Sequence, residues 1–267
     1  MKCLALPRSF HSIRALVALE TVTRRRWNTV PTEKAMMTNN IGMTRREAIS
    51  RAVVGATLLM AGGHACSAAQ KPSTPVKIMK QKNKDFYKKD GSFDGEKARK
   101  AYYAMMKRFS YPITDKLKGK DFWAIDFGLN DFVNVGMAGI FWWNDKENNY
   151  FGHEIYLLPG QMIVEHAHVK TPDAKPKMEA WQVRHGSIFT FGEGDATSPC
   201  PIELPKSQEK FITARHCQML KPGEIAALNR AEAKHFMIAG PQGAIVTEYA
   251  TYHDNAGLRF TNPGVKF

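Results

Sequence analysis

The sequence predicts an all-β fold, a double-stranded β-helix (jelly-roll barrel) with a short N-terminal helical extension. From about residue 133 onward, apolar and polar residues alternate with a period of two in short segments separated by Gly, Pro, Asn and Asp. A short repeat supports the same fold, because LLPGQ at 157–161 returns as LKPGE at 220–224. Each copy lies between two predicted strands, and its Pro-Gly pair is typical of a tight turn. The two halves of a double-stranded β-helix are expected to show such a repeat.

One helix and nine strands are predicted along the chain. The helix begins after Asp94, a residue type that caps helix N-termini, and it ends before Pro112. Many short strands without intervening helices favour a sandwich or a barrel. The predicted strands are Val133–Trp143, Glu154–Leu158, Met162–His168, Ala180–His185, Ile188–Phe191, Ile212–Leu220, Glu224–Leu228, His235–Ala239 and Ala244–Thr251.

The first 69 residues are predicted to direct the protein to its compartment. Residues 43–69 combine Arg45 and Arg46, an uncharged stretch at 52–63 and small residues suited to cleavage near Ala68 or Ala69. That stretch is shorter than the about 20 residues of a membrane-spanning helix. The segment resembles a twin-arginine export signal, which implies a periplasmic or secreted protein; an amphipathic helix in a cytoplasmic protein is the alternative. Residues 1–42 are interpreted as an over-extended start of the reading frame or as a targeting segment.

The formal charge of +13 suggests a nucleic-acid partner, but its distribution argues against one. Residues 1–69 hold 10 basic side chains against 3 acidic ones, and no basic stripe interleaved with aromatic residues follows. Residues 70–92 are predicted to form a basic linker before a domain over 93–267. We therefore expect no nucleic-acid partner and no stable membrane anchor. Cys200 and Cys217 are compatible with a disulfide or with two free thiols.

The strongest chemical signal is a set of four potential metal ligands, His166, His168, Glu179 and His235. The spacing G-x5-H-x-H-x10-E-x6-G over 160–186 resembles the first motif of the cupin barrels, with a longer excursion before the glutamate. Residues i and i+2 of a strand face the same side, so both histidines of the H-x-H pair are expected to point into the barrel. Three imidazoles and one carboxylate suit one divalent ion of Mn, Fe, Co, Ni or Zn.

His235 is the least secure of these ligands, because the second cupin motif is degraded around Asn229. A single histidine is more often a structural residue than a ligand. His185 and His216 compete with His235, but neither lies on the expected strand, so both are interpreted as structural residues or as supports of the ligands.

Two further residues, Lys177 and Glu248, indicate catalysis rather than binding alone. Lys177 stands two residues before the ligand Glu179, so on extended backbone its amine faces the same cavity. Glu248 interrupts an apolar strand, and an inward-facing acid is costly unless it is paired or functional. The alternatives are a solvated loop lysine for Lys177 and an outward-facing position for Glu248.

With these residues the chain resembles the cupin-type D-lyxose isomerases over 94–263. The resemblance rests on I-D-F-G-L at 125–129, L-P-G-Q to E-H-x-H over 158–168, K-x-E at 177–179, R-x-G at 184–186, K-H at 234–235 and V-T-E at 246–248. It implies a manganese-dependent aldose–ketose isomerase acting on D-lyxose and D-xylulose, and often on D-mannose and D-fructose. The export signal and the loop 193–211 depart from the family, which leaves the sugar preference open. The resemblance assigns His166, His168, Glu179 and His235 as ligands and Lys177 and Glu248 as the catalytic pair.

The residue chemistry is consistent with that reaction. Aldose–ketose conversion moves a proton between C1 and C2, for which Glu248 would be the general base and Lys177 the group that protonates or stabilises the sugar oxygen. A hydride shift is the mechanistic alternative. A mononuclear iron dioxygenase with the same ligand set and a sugar- or metal-binding cupin without turnover are the functional alternatives. The expected partner is a small-molecule sugar, and a homodimer is expected.

Overall fold

The computed structural model describes residues 80–267, and the predicted segments 1–42 and 43–69 lie outside the described residues. The described part is mostly β-sheet, as predicted, with α1 at Gly95–Arg108 and α2 at Asp115–Lys118. The strands are β1 Trp123–Ile125, β2 Met137–Asp145, β3 Tyr150–Leu157, β4 Met162–His168, β5 Glu179–Gly192, β6 His216–Leu220, β7 Ile225–Ala227, β8 His235–Ala250 and β9 Leu258–Phe260.

Two long strands, β5 and β8, form the centre of the barrel. They pair with each other along almost their whole length, from Glu179 opposite Ala250 to Phe191 opposite Phe236. The second half of β8 also pairs with β3 and its first half with β4, while β5 pairs with β7 and then with β6. The remaining order is β1-β2-β3-β8-β4-β9, and all of the strand pairs are antiparallel. This curled sheet is the double-stranded β-helix that the sequence predicts.

The sequence divides each long strand into two, whereas the structure joins each pair into one bent strand. The prediction ended one strand at His185 and another at Ala239, because glycines follow both. At the bend of β5, Gly186 has φ +74°, and a Cβ there would lie 1.9 Å from the carbonyl oxygen of Gly243 on β8. Gly243 has φ +82°, which also favours glycine. These glycines therefore bend the two strands together, and pairing continues on both sides.

The two copies of the repeat form equivalent turns. In the first, the Gln161 side chain accepts the N–H of Leu158 at 3.0 Å; in the second, the Glu224 side chain accepts the N–H of Lys221 at 2.7 Å. In both turns the backbone N–H of the last residue donates to the carbonyl of the first at 3.0 Å. The repeat is thus a repeat of hydrogen bonding as well as of sequence.

Helix α1 packs on the outer face of the sheet. Its N-cap is Asp94, as predicted, whose side chain accepts the N–H of Lys97 at 3.0 Å. The buried Tyr102 donates its hydroxyl to Gln161 Oε1 at 2.6 Å and so joins the helix to the first repeat turn. The buried helix residues are Ala98, Tyr102, Met105 and Met106.

Two aromatic residues anchor the described part of the predicted linker 70–92 to the barrel. Residues Asn83–Phe86 form a 3-10 turn, and Phe86 is buried with its ring centroid 4.7 Å from that of Phe132. Tyr87 donates its hydroxyl to Asp126 at 3.0 Å. Most other side chains of residues 80–92 are exposed. Within residues 80–267 no helix is both long and apolar enough to cross a membrane.

Candidate active site

Four side chains from three strands meet at one end of the barrel interior. His166 and His168 alternate along β4, Glu179 begins β5 and His235 begins β8. Strands β4 and β8 pair with His166 directly opposite His235, which brings their imidazoles onto one face. One ligand atom from each of the four residues lies within 4.8 Å of the others. The structure therefore brings together all four predicted ligands, including His235.

The hydrogen bonds of these imidazoles leave their Nε2 atoms available as ligands. Nδ1 of His166 lies 2.9 Å from the carbonyl oxygen of Val164, and Nδ1 of His235 lies 2.9 Å from that of Ala233. A carbonyl only accepts hydrogen bonds, so Nδ1 carries the proton in both rings and Nε2 keeps its lone pair. This is the tautomer that a metal ligand needs.

Buried polar atoms without partners face one another in this cluster. Within the described residues, Nε2 of His168, Nε2 of His235 and Oε1 of Glu179 make no hydrogen bond. The last two are only 2.7 Å apart, but not in the orientation of a hydrogen bond. Unpaired buried polar atoms are rare because each one lowers stability. A divalent cation would satisfy all three atoms at once, so the donor set fits such an ion.

Lys177 and Glu248 lie beside the ligand cluster. The ammonium of Lys177 donates to Glu179 Oε2 at 2.8 Å and, through a short contact, to Glu248 Oε1. It also lies 4.7 Å from the ring centroid of Phe151. Lys177 and Glu248 are each only 4% exposed, so the interpretations of a solvated loop lysine and an outward-facing glutamate are wrong. The amine of Lys177 therefore bridges the carboxylate of Glu179, a predicted ligand, and that of Glu248, which is not one.

Charge pairing keeps these buried groups ionised. Burial would lower the pKa of Lys177, but the carboxylates of Glu179 and Glu248 offset it and hold that pKa above its ordinary value. Burial would likewise raise the pKa of Glu248, but Lys177 first and then His153 keep it below the ordinary glutamate value. Burial and the neighbouring imidazoles hold the pKa of His166 well below its usual range, which favours the neutral ligand form. The site thus contains an ionised carboxylate beside an ammonium.

His153 belongs to the site and was missed in the sequence. It lies on β3 directly opposite Glu248 on β8, and its Nδ1 is 2.9 Å from Glu248 Oε2. The predicted strand begins at Glu154, one residue too late to include it. The available signal was alternation, because the inward residues Phe151, His153 and Ile155 are all buried and only the central one is polar.

His253, after the end of β8, is a second missed residue. Its Nε2 lies 2.7 Å from Asn255 Oδ1, and its ring stacks on Phe151 with centroids 5.2 Å apart. Burial, strengthened by the charge of Lys177, lowers the pKa of His253 to about 4. Its imidazole is therefore neutral near pH 7. No motif spacing points to it, since it lies after the end of β8.

The competing histidines lie outside the site. His185 packs between Phe109 and Tyr111, with ring centroids 5.4 Å and 5.7 Å away. His216 is exposed, with Nδ1 3.2 Å from the carbonyl oxygen of Asp195. Both were interpreted as structural residues or supports of the ligands, and their contacts are structural. Cys200 and Cys217 are free thiols.

The cluster opens into a pocket inside the barrel. Its polar lining is concentrated at the end that holds the four ligands together with Lys177 and Glu248. The walls are largely apolar, and their aromatic members include Trp123, Phe127, Phe141, Trp181 and Phe260. One small polar molecule placed in this cavity would meet the carboxylate of Glu248 and the four ligands together.

The fold and this cluster define the cupin class of β-barrels with a site suited to a divalent cation. No protein-family model matches the chain. The chain is 31% identical over 164 residues to a D-lyxose/D-mannose isomerase from Thermosediminibacter oceani, covering 61% of this chain and 88% of that protein. It is 30% identical over 141 residues to a D-lyxose ketol-isomerase from Cohnella laeviribosi, covering 53% and 76%. The chain belongs to the D-lyxose isomerase family, and it is a sugar isomerase.

A solved structure agrees on the fold. An Acinetobacter sp. DL28 L-ribose isomerase variant in complex with L-ribose superposes with a TM-score of 0.50 at 16% identity, covering 63% of this chain and 94% of that one. At this identity the likeness concerns the fold alone. The family membership favours an aldose–ketose isomerase over the two alternatives, a dioxygenase and a binding protein without turnover.

Proposed function

We propose that the protein interconverts D-lyxose and D-xylulose, and also D-mannose and D-fructose, by proton transfer between C1 and C2 with one divalent metal, most favourably Mn. The observation that carries this proposal is the ionised carboxylate of Glu248, held in the same cavity as the four-ligand cluster. The names of the relatives supply the substrate class. The dioxygenase alternative has no use for an acid–base pair at this place.

His166, His168, Glu179 and His235 would hold the metal. When bound, a divalent ion at this position polarises a carbonyl and offsets negative charge that develops on oxygen. The same ligand set suits Fe, Co, Ni and Zn, so the preference for Mn rests on the family resemblance. The chain's own contribution to binding is the arrangement of three Nε2 lone pairs and one carboxylate, oriented by backbone carbonyls behind two of the rings.

Glu248 and Lys177 divide the proton chemistry. Glu248 accepts the proton from C2 of the open-chain aldose and returns it to C1, which creates the ketose carbonyl at C2. In the same conversion the proton of the O2 hydroxyl is lost and O1 gains one. Lys177 is the donor within reach of that exchange, because its ammonium lies between Glu248 and the ligand Glu179. In the reverse direction Glu248 takes the proton from C1 and returns it to C2, while O1 loses a proton and O2 gains one beside Lys177.

The test is incubation of the manganese-loaded protein with pentoses and hexoses, followed by chromatography of the products. Glu248→Gln keeps the shape and removes the base, while Lys177→Met keeps the apolar stem and removes the amine. Each change is expected to lower kcat about 10²–10⁴-fold. Metal content should stay at one ion per chain, because neither residue is a ligand. Wild-type turnover by Glu248→Gln would exclude the assigned base.

Reaction in D₂O separates proton transfer from a hydride shift. If Glu248 carries the proton, part of the D-xylulose formed from D-lyxose contains deuterium at C1. Product without deuterium at C1 would support the hydride shift instead. Failure of every sugar to react, with the metal bound, would contradict the isomerase function itself.

We also propose a homodimer formed through the outer face of the sheet. Trp143 on β2 and Tyr249 on β8 both pair with Gly152 on β3 and are about half exposed. A Cβ at Gly152 would meet nothing within 4 Å, so a shallow apolar surface lies between the two aromatic side chains. Light scattering should give twice the monomer mass for the wild type, and the mass of a single monomer for Tyr249→Glu.

Arg45 and Arg46 and the uncharged stretch after them support export through a twin-arginine pathway. We propose that the mature protein is periplasmic or secreted and consists of the linker and the domain that follows it. Fractionation of the producing cell tests this, since isomerase protein found only in the cytoplasm would contradict it.

A further inference from the structure

We infer that His153 is a positioning residue for Glu248, holding the carboxylate so that it faces the sugar carbons. The inference rests on the proposed function of Glu248 as the proton carrier. Its basis is the juxtaposition of the two side chains on paired strands, with His153 Nδ1 2.9 Å from Glu248 Oε2.

The two oxygens of Glu248 have different donors. Oε1 accepts from the ammonium of Lys177 and Oε2 accepts from His153. One donor alone would leave the carboxylate free to rotate about its terminal bond, whereas two donors from different elements fix its plane. An ionised carboxylate has about four lone-pair positions, so both oxygens still have one for a proton from the sugar.

The direction of this hydrogen bond follows from the charge of Glu248. The lowered pKa of Glu248 means that its carboxylate is ionised and can only accept a hydrogen bond. Nδ1 of His153 is therefore the nitrogen that carries the proton in the contact. The other nitrogen, Nε2, is buried and has no hydrogen-bond partner among the described residues.

The surroundings of the ring are those of a buried aromatic residue. Trp123 stacks on it at a centroid distance of 5.8 Å, and Phe141 meets it edge-on at 4.9 Å. Gly139 makes room for it, because a Cβ there would lie 2.4 Å from His153 Nε2. A phenylalanine in this cage would pack without leaving a nitrogen unpaired. The one described contact that an imidazole makes here and a phenyl ring cannot is the hydrogen bond to Glu248.

Two substitutions at the same position separate positioning from packing. His153→Phe keeps the aromatic ring and removes the donor, while His153→Asn places an amide N–H where Nδ1 was and leaves part of the cage empty. We expect kcat of His153→Phe to fall about 10–100-fold, since a misplaced catalytic group costs up to about that much. KM and metal content should stay near wild type, because His153 is not a ligand. His153→Asn should recover most of the lost kcat despite packing less well.

His185→Asn is the matched control. It removes another imidazole from the same barrel, one that packs on Phe109 and makes no contact with Glu248, and it should leave kcat unchanged. Gly139→Ala provides an independent perturbation, because its methyl group would meet the His153 ring and the Trp123 ring stacked on it without changing either residue. It should lower kcat in the same way as His153→Phe.

A measurement without sugar keeps this inference separate from the proposed function. In the zinc-loaded, ¹⁵N-histidine-labelled protein, the resonances absent from His153→Phe should show a protonated Nδ1 and a bare Nε2. A protonated Nε2 beside a bare Nδ1 would overturn the inference even if the protein is an isomerase. Equal losses of kcat in His153→Asn and His153→Phe would also overturn it. If no sugar reacts, the proposed function fails, and the tautomer still tests the contact.

Discussion

Removing the amine of Lys177 should destabilise the metal-free protein. Lys177 lies between the buried carboxylates of Glu179 and Glu248, and it contacts both of them. The change Lys177→Met keeps the apolar stem but leaves two buried negative charges without this cation. Loss of one partner from a buried ion pair costs about 3–5 kcal/mol. We expect the free energy of unfolding in the presence of a chelator to fall by about that amount.

The double variant Lys177→Met/Glu248→Gln tests the cause. It removes one of the two unpaired carboxylates, so it should be more stable than Lys177→Met, although it carries an additional change. Coupling between contacting residues is typically about 0.5–3 kcal/mol. Urea unfolding of the wild type, both single variants and the double variant gives this coupling directly.

Lys146→Met is the control for loss of a lysine. Lys146 pairs with Asp173 at 3.0 Å, but both side chains are more than half exposed, so water screens the pair. Its removal should leave the unfolding curve almost unchanged. A Lys177→Met variant as stable as Lys146→Met, without coupling to Glu248, would refute the view that Lys177 neutralises the site.

Four further predictions concern the metal, the export signal and two local features of the barrel. His166→Ala should lose the tightly held ion in elemental analysis, since it removes one of four ligands. N-terminal sequencing of the native protein should find a start near residue 69, and an intact residue 1 or 43 would contradict export. Gly186→Ala should lower the free energy of unfolding by about 3 kcal/mol or more, because a positive φ strains the backbone and the methyl group meets the Gly243 carbonyl oxygen. Burial raises the pKa of Cys217 to about 12, so its labelling by a thiolate-selective reagent at pH 8 should be far slower than that of a free thiol and should accelerate in urea.

Two of the metal ligands could be predicted from strand geometry alone. His166 and His168 are two residues apart on one strand, so their common direction is fixed once the strand is assigned. Predicting His235 as a ligand needed further information, because its separation from His166 along the chain does not fix its position in the barrel. The repeat supplied that information by placing it in the second half of the barrel, and β-pairing sets it opposite His166.

His153 and His253 could not be predicted with the same tools. The role of His153 depends on a neighbour that is distant in sequence, and His253 follows the end of β8, where strand alternation no longer applies. His153 acts through Glu248, 95 residues away, and their contact exists only because β3 and β8 are adjacent in the sheet. A one-residue error in the start of a strand removed the only local signal. The packing of Phe86 and Tyr87 was hidden in the same way, since a lysine-rich segment gives no indication of its tertiary partners.

The active site combines two kinds of constraint that the sequence expresses differently. Within the ligand cluster, the sequence expresses directly the H-x-H pair, because residues two apart on a strand face the same side. A chain of contacts runs from His153 through Glu248 and Lys177 to Glu179. Its members come from three strands and a loop, because each side chain only has to contact the next one. Lys177 belongs to both, since it pairs with a ligand and with the proposed base. Its amine therefore couples the charge of the ligand cluster to the protonation of Glu248. A change in the charge of the cluster shifts the proton affinity of Glu248, and protonation of Glu248 changes the electrostatic field at the cluster. This coupling is the reason that Lys177→Met is expected to alter both stability and turnover, whereas His153→Phe should alter turnover with the ligand cluster intact.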